Sequence, residues 1–334
     1  MINDFIKQSR DEIPFTKKQL IDMLNYSPNS PENYQIMAEA YRISSELTGN
    51  KAEIHAQFAL NLAPCSKNCA FCSFARVNKI FSKASEIDAP EAIMRAKQFE
   101  HDGANAIYVM TTADFDFGKF LEISQEIKRN LKSDTTLIAN IGDKNFSGAK
   151  MLRDVGYHGV YHAPRLREGK DTSIDVKKRL ESIRNFQEAG LVVGTCVEPV
   201  GPEHTNDELA DMILLTGSFN PGYSGAARRI TVPGSKLSQY GMISEFRMSQ
   251  IVAVTRLGMP RNVKGNCTHE PCTLGAIAGA NLFWAEVGAN PRDTKEKTEE
   301  GRGNTIENCK DLFAETSWEV LKGPSVYYEN SNQG

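Results

Sequence analysis

The chain has 334 residues with 39 basic and 42 acidic side chains, a formal net charge of −3, and 40% hydrophobic and 24% charged residues. This is the composition of an ordinary globular protein with enough chain for a large core. It offers no electrostatic case for nucleic acid or an anionic membrane, and no apolar run approaches the length of a spanning helix. Residues 1–9 lack the basic head and apolar run of a signal peptide, so the sequence reads as cytoplasmic, with no nucleic acid and no membrane among its partners.

Residues 1–50 read as a helical extension. Helices are expected over Phe15–Leu24, with Thr16 as cap, and over Glu32–Leu47, with Ser30 as cap and Pro31 at the first turn. From Ile54 short apolar runs alternate with amphipathic stretches. Strands are expected at Ile54–Leu62, Ala106–Met110, Thr136–Ile138, Gly159–Tyr161, Leu191–Val193, Arg229–Val232 and Asn281–Ala285, with a further short strand in Pro260–Asn266. Helices are expected at Ala89–Glu100, Phe117–Asn130, Ser147–Val155, Val176–Ala189, Asn206–Leu215 and Ser244–Leu257. Such alternation implies a parallel sheet with right-handed crossovers. Seven or eight units in about 240 residues suit an α/β fold of the (β/α)8 TIM type, closed or opened at one side. The expected organisation is an N-terminal helical extension (1–50), a barrel (51–290) and a C-terminal extension closing it (291–334). Residues 326–334 are polar and read as frayed, without function.

Seven cysteines occur, an odd number in a long chain, which points to metal binding or chemistry rather than disulfides. Cys65, Cys69 and Cys72 follow the first strand with C-x3-C-x2-C spacing. Three thiolates so placed can each bind one iron of a [4Fe–4S] cube and leave the fourth iron open, whereas a closed structural zinc site wants four ligands. A zinc knuckle or three unrelated buried thiols is the plainer alternative. Cys196 ends the fifth strand, sharing a face with Gly194 and Val192. Cys267 and Cys272 stand in a Gly/Asn/Pro-rich loop after the seventh strand with His269 between them. With Cys309 at the start of the last helix, they make four cysteines available to a second, auxiliary iron–sulfur cluster, Cys309 reading equally well as a core thiol. Met110, Thr111 and Thr112 follow the second strand, Asn140 ends the third, and Tyr161, His162, Arg165 and Arg167 follow the fourth. Arg179 opens the helix before the fifth strand, and Arg228 and Arg229 precede the sixth. Each of these fits either a ligand contact or an ordinary surface role.

The cysteine motif, with Phe71 just before its third cysteine, resembles that of the radical SAM superfamily. The likeness extends to the join at Ala189 and Gly190, the turn Gly201–Thr205, and Ile277–Asn281, and is closest to biotin synthase and its relatives. The resemblance implies that Cys65, Cys69 and Cys72 hold a [4Fe–4S] cluster which binds S-adenosyl-L-methionine and cleaves it reductively. It implies contacts to that cofactor from Phe71, Thr111, Tyr161 and Arg179, and a reductant protein of the ferredoxin or flavodoxin type. The chain departs from biotin synthase in having Met110 and Asn140 where that family places auxiliary cysteines. It offers Cys267 and Cys272 where the family has an arginine ligand. These departures lean the expectation toward the two-component lipoyl synthases, which attach sulfur to a carrier-protein-bound octanoyl chain and imply a paralogous partner subunit. Biotin synthase itself, converting dethiobiotin, is the alternative. A single-cluster enzyme like the hydrogenase maturases or methylornithine synthase, without sulfur transfer, is another.

Overall fold

The computed structural model of the chain describes residues 1–329. Eight parallel strands close into a ring: β1 Lys51–Ala59, β2 Ala106–Met110, β3 Thr136–Asn140, β4 Gly159–Tyr161, β5 Val192–Gly194, β6 Tyr223–Arg228, β7 Gly265–Cys267 and β8 Leu282–Val287. Neighbours in sequence pair in order, and β8 returns to β1 with Glu53 opposite Leu282. The ring is closed rather than opened at one side, and the fold is a (β/α)8 barrel.

Among the described residues eleven helices accompany these strands. The first three, α1 Ile2–Arg10, α2 Lys17–Leu24 and α3 Pro31–Thr48, precede the barrel, and α1 has no counterpart among the expected elements. Thr16 and Ser30 cap α2 and α3 as the sequence suggests, and α3 lies against the helix that follows β6. The remaining eight each follow one strand: α4 Ala89–Asp102, α5 Phe117–Asn130, α6 Phe146–Val155, α7 Val176–Glu188, α8 Asn206–Ser218, α9 Glu245–Gly258, α10 Thr273–Ile277 and α11 Ile306–Glu315. Phe5, Phe15, Leu20 and Met23 from the leading helices share one hydrophobic core with the outer faces of the strands, including Ile54, Ile107 and Phe283.

The sixth strand lies earlier than its expected span of Arg229–Val232. Its residues Ser224, Gly225, Ala226 and Ala227 lack the bulk by which a buried strand is recognised in sequence. Their smallness has a packing cause. A Cβ on Gly225 would stand 2.1 Å from the carbonyl oxygen of Cys267 on β7, so the two backbones meet where no side chain fits.

Of the expected frayed tail over 326–334, residues 326–329 are instead ordered against the barrel. A two-residue strand, Glu319–Val320, pairs with the start of β1, and Ser325–Glu329 then runs beneath the barrel. Tyr327 and Tyr328 are each 3% exposed and enter the interior from the N-terminal side. Gly159, Gly194 and Gly265 make room for them: a Cβ at any of the three would come within 2.9 Å of one of these tyrosine side chains. The tail also answers a charge. Glu53, 1% exposed, accepts hydrogen bonds from the Ser325 hydroxyl and the Val326 N–H and lies 2.7 Å from His55 Nε2. A buried carboxylate without such donors is strongly destabilising. Residues 330–334 lie outside the described residues.

Candidate active site

A cavity of about 210 Å³ opens at the C-terminal ends of the strands, the face on which barrel enzymes carry their chemistry. Cys65, Cys69 and Cys72 line it from the loop after β1, and all three are half-buried. Backbone bonds fasten this loop to its surroundings. Cys65 N–H donates to the Phe74 carbonyl at 2.7 Å, Ala70 N–H to Asp171 at 2.7 Å, and Ser73 N–H to Pro291 at 2.9 Å. Asp114, beyond β2, accepts both the N–H and the hydroxyl of Ser66 at 2.6 Å. Burial pushes the Cys69 thiol up to about 12 and Cys72 higher still, against the pull of Arg165 on Cys69. Both thiols therefore keep their protons until a metal replaces them.

Below the cavity, inside the ring, lies a second group. The sulfurs of Cys196 and Cys267 are 3.7 Å apart. Among the described residues these two and His269 are the one trio of possible metal ligands whose donor atoms all lie within 4.8 Å of one another. Burial and the neighbouring sulfur raise Cys196. Burial also works to raise Cys267, but Cys196 and His269 outweigh it and hold that thiol down to about 7. His269 reaches the cavity and stands 5.4 Å from the Tyr161 ring and 5.0 Å from that of Trp284. Its Nδ1 is 3.3 Å from Glu198, which also accepts the Tyr161 hydroxyl at 2.5 Å and pairs with Arg165 at 3.2 Å. Burial works to raise Glu198, but Arg165, His269 and Tyr161 outweigh it and hold the carboxyl below its usual range.

No family model matches the chain. It is 24% identical over 254 residues to the biotin synthase of Clostridioides difficile strain 630, covering 73% of this chain and 77% of that one. It is 23% identical over 269 residues to the biotin synthase of Rickettsia felis, covering 74% and 85%. The chain is a biotin synthase-like member of the radical SAM superfamily. Among solved structures, the FeFe-hydrogenase maturase HydG from Carboxydothermus hydrogenoformans superposes with a TM-score of 0.80 at 18% identity, over 98% of this chain and 80% of that one. Methylornithine synthase (PylB) superposes with a TM-score of 0.79 at 14% identity, over 97% and 98%. These two share the barrel fold.

Membership implies a [4Fe–4S] cluster and S-adenosylmethionine, and the radical SAM loop fits them. It brings three sulfurs to one cavity wall, and these do not converge as tightly as the inner trio, as cysteines on three separate irons require. Phe71, Thr111, Tyr161 and Arg179, the residues expected at the cofactor, all line the same cavity. Arg179 is 7% exposed, so it is no surface residue of α7. Its guanidinium lies 3.0 Å from Asp143 and 3.3 Å from His162. Asn140 binds Gln57 at 2.8 Å on the cavity wall.

Two of the expected auxiliary ligands stand apart from the inner trio. The Cys272 sulfur caps α10, accepting the Gly275 N–H at 3.3 Å. Cys309 lies in the outer core with its sulfur 3.5 Å from the Trp284 carbonyl. Glu198, Trp284 and Arg292 line the cavity without having been singled out in the sequence. Glu198 had a readable signal, since it lies two residues from Cys196 and so on the same side of an extended chain.

Proposed function

We propose that this radical SAM enzyme inserts sulfur into an unactivated C–H bond, in the manner of lipoyl synthases, with an octanoyl chain on a carrier protein as acceptor. The observation that carries this reading is the thiol pair Cys196–Cys267, set below the chamber whose wall bears the radical SAM cysteines. The likeness to biotin synthases supports the same class of reaction. When bound, the cluster and S-adenosylmethionine supply a 5′-deoxyadenosyl radical that removes a substrate hydrogen. Cys65, Cys69 and Cys72 would hold the cluster. Phe71, Thr111, Tyr161 and Arg179 would orient the cofactor, and the closed wall limits water around the reacting carbon.

The choice of acceptor rests on charge. Each arginine lining the cavity is paired with an acid of the chain: Arg165 with Glu198, Arg179 with Asp143, Arg228 with Glu245, Arg229 with Glu203, and Arg292 with Glu270 and Glu286. Among the described lining residues Lys67 is the cation without an ion pair, and one such group suits the methionine carboxylate of the cofactor. A substrate that brings its own carboxylate, as dethiobiotin does, finds no second free cation. An octanoyl amide needs none. A flavodoxin-type reductant and a paralogous subunit complete the proposal.

The test is anaerobic turnover with reductant, S-adenosylmethionine and an octanoyl-lysine peptide, read by mass spectrometry. Thiolated peptide together with 5′-deoxyadenosine supports the reading. Thiolation of dethiobiotin instead redirects it to biotin synthesis. Deoxyadenosine without any sulfur product, with both acceptors and a partner subunit supplied, rejects sulfur insertion.

A further inference from the structure

The inner trio has a geometry that says more than its composition. Two sulfurs 3.7 Å apart span one edge of a tetrahedron whose centre lies about 2.3 Å from each, the length of a zinc–thiolate bond. Cysteines that ligate separate irons of a cube stand further apart than this. The histidine is prepared in the same sense. His269 is 8% exposed, its Nε2 is buried without a partner, and its Nδ1 faces the Glu198 carboxylate at 3.3 Å. A carboxylate that fixes one ring nitrogen and leaves the other free is the usual support of a metal-binding imidazole. Glu198 is itself fixed, by the Tyr161 hydroxyl and by Arg165.

We propose that Cys196, Cys267 and His269 bind a single thiophilic divalent ion, zinc or ferrous iron, with Glu198 orienting the imidazole and a fourth position facing the cavity. Three protein ligands with one open position is the pattern of a reactive ion rather than a structural one. The donor set excludes Cys272 and Cys309, which are engaged elsewhere. It also differs in kind from a sulfide-bridged cluster, since a single ion carries no sulfur of its own. The inference goes beyond the proposed reaction and is tested without it, on a protein that cannot perform radical chemistry.

The test uses the full chain carrying Cys65→Ala, Cys69→Ala and Cys72→Ala, loaded anaerobically with cobalt(II) alone. One cobalt per chain is expected, with thiolate-to-cobalt charge transfer and the d–d absorption of a tetrahedral site. Adding Cys196→Ser or His269→Ala should abolish or greatly weaken binding, and Glu198→Gln should weaken it about tenfold or more. His269→Cys should retain the ion and intensify the charge-transfer band, which separates loss of a ligand from loss of the fold. Cys272→Ala and Cys309→Ala should leave affinity and spectrum unchanged. Absence of tetrahedral cobalt, marking a merely packed thiol pair, overturns the proposal, as does loss of binding in Cys272→Ala. Reconstitution of the same protein with iron and sulfide that yields two or more irons with matching sulfide overturns it in favour of a cluster. The peptide assay can succeed or fail whatever this result.

Discussion

Glu286, the penultimate residue of β8, lines the cavity and is 4% exposed, a position that a lone carboxylate could not hold. Arg292 and Arg302 both reach it, at 2.6 and 2.7 Å, and each also reaches Glu270. Burial works to raise its pKa, but the two guanidiniums outweigh burial and bring it down to about 2. A carboxylate lowered on folding contributes stability at any pH above its unfolded value near 4.5, and that contribution is lost as pH falls from there through about 2. Glu286→Gln should therefore destabilise the protein at neutral pH by on the order of 3 kcal/mol. It should also flatten the loss of stability between pH 4.5 and 2, measured by denaturant unfolding across that range. A variant whose acid limb matches the parent would show that the titration lies elsewhere. Gly225 makes the same point for the backbone. Gly225→Ala places a methyl against the Cys267 carbonyl at a φ of +139°, and should cost several kcal/mol in urea unfolding while displacing Cys267.

Elements carry the site as much as side chains do. The loop Cys65–Cys72 is tied by hydrogen bonds to other segments, of which the Asp114–Ser66 pair is the most localised. Asp114→Ala should leave the melting temperature nearly unchanged yet speed iron loss from the loaded protein under chelator. A release rate equal to the parent's would count against a holding role for this pair. What was readable in sequence divides along the same line. Helices with an apolar stripe and a capping residue, such as α2, α3 and α5, and strands of bulky residues, such as β2 and β8, announced themselves. β6 did not, because its job is to be thin where it meets β7. Cys272 looked like a ligand because five-residue spacing places two sulfurs on one loop. The partner that faces Cys267 is instead His269, two residues on, since an extended chain returns a side chain to the same side at that interval. Tyr327 and Tyr328 were invisible as core residues because a polar sequence surrounds them. Their signature was remote, in the glycines of strands they touch.

At the scale of the whole molecule, the leading helices and the barrel share one hydrophobic core. The extension over residues 1–50 should accordingly melt with the barrel. A single thermal transition, coincident by far-ultraviolet circular dichroism and tryptophan fluorescence, is expected, and two separated transitions would mark the extension as an independent unit. No helix of the described residues is long and apolar enough to cross a membrane.

The segment Ser325–Glu329 has a bearing on how the molecule comes into being. A ribosome makes all eight strands before it makes Ser325, so a nascent barrel complete in its ring still lacks its floor. During that interval the Glu53 carboxylate lacks the donors supplied by Ser325 and Val326, and solvent can enter from beneath. Once Tyr327 and Tyr328 have docked, Cys196 and Cys267 are fully buried. The order of synthesis is therefore an order of closure, the ring first and its floor afterwards. Stalled chains ending at Pro324 should react at Cys196 with a small alkylating reagent that leaves the released full-length chain untouched.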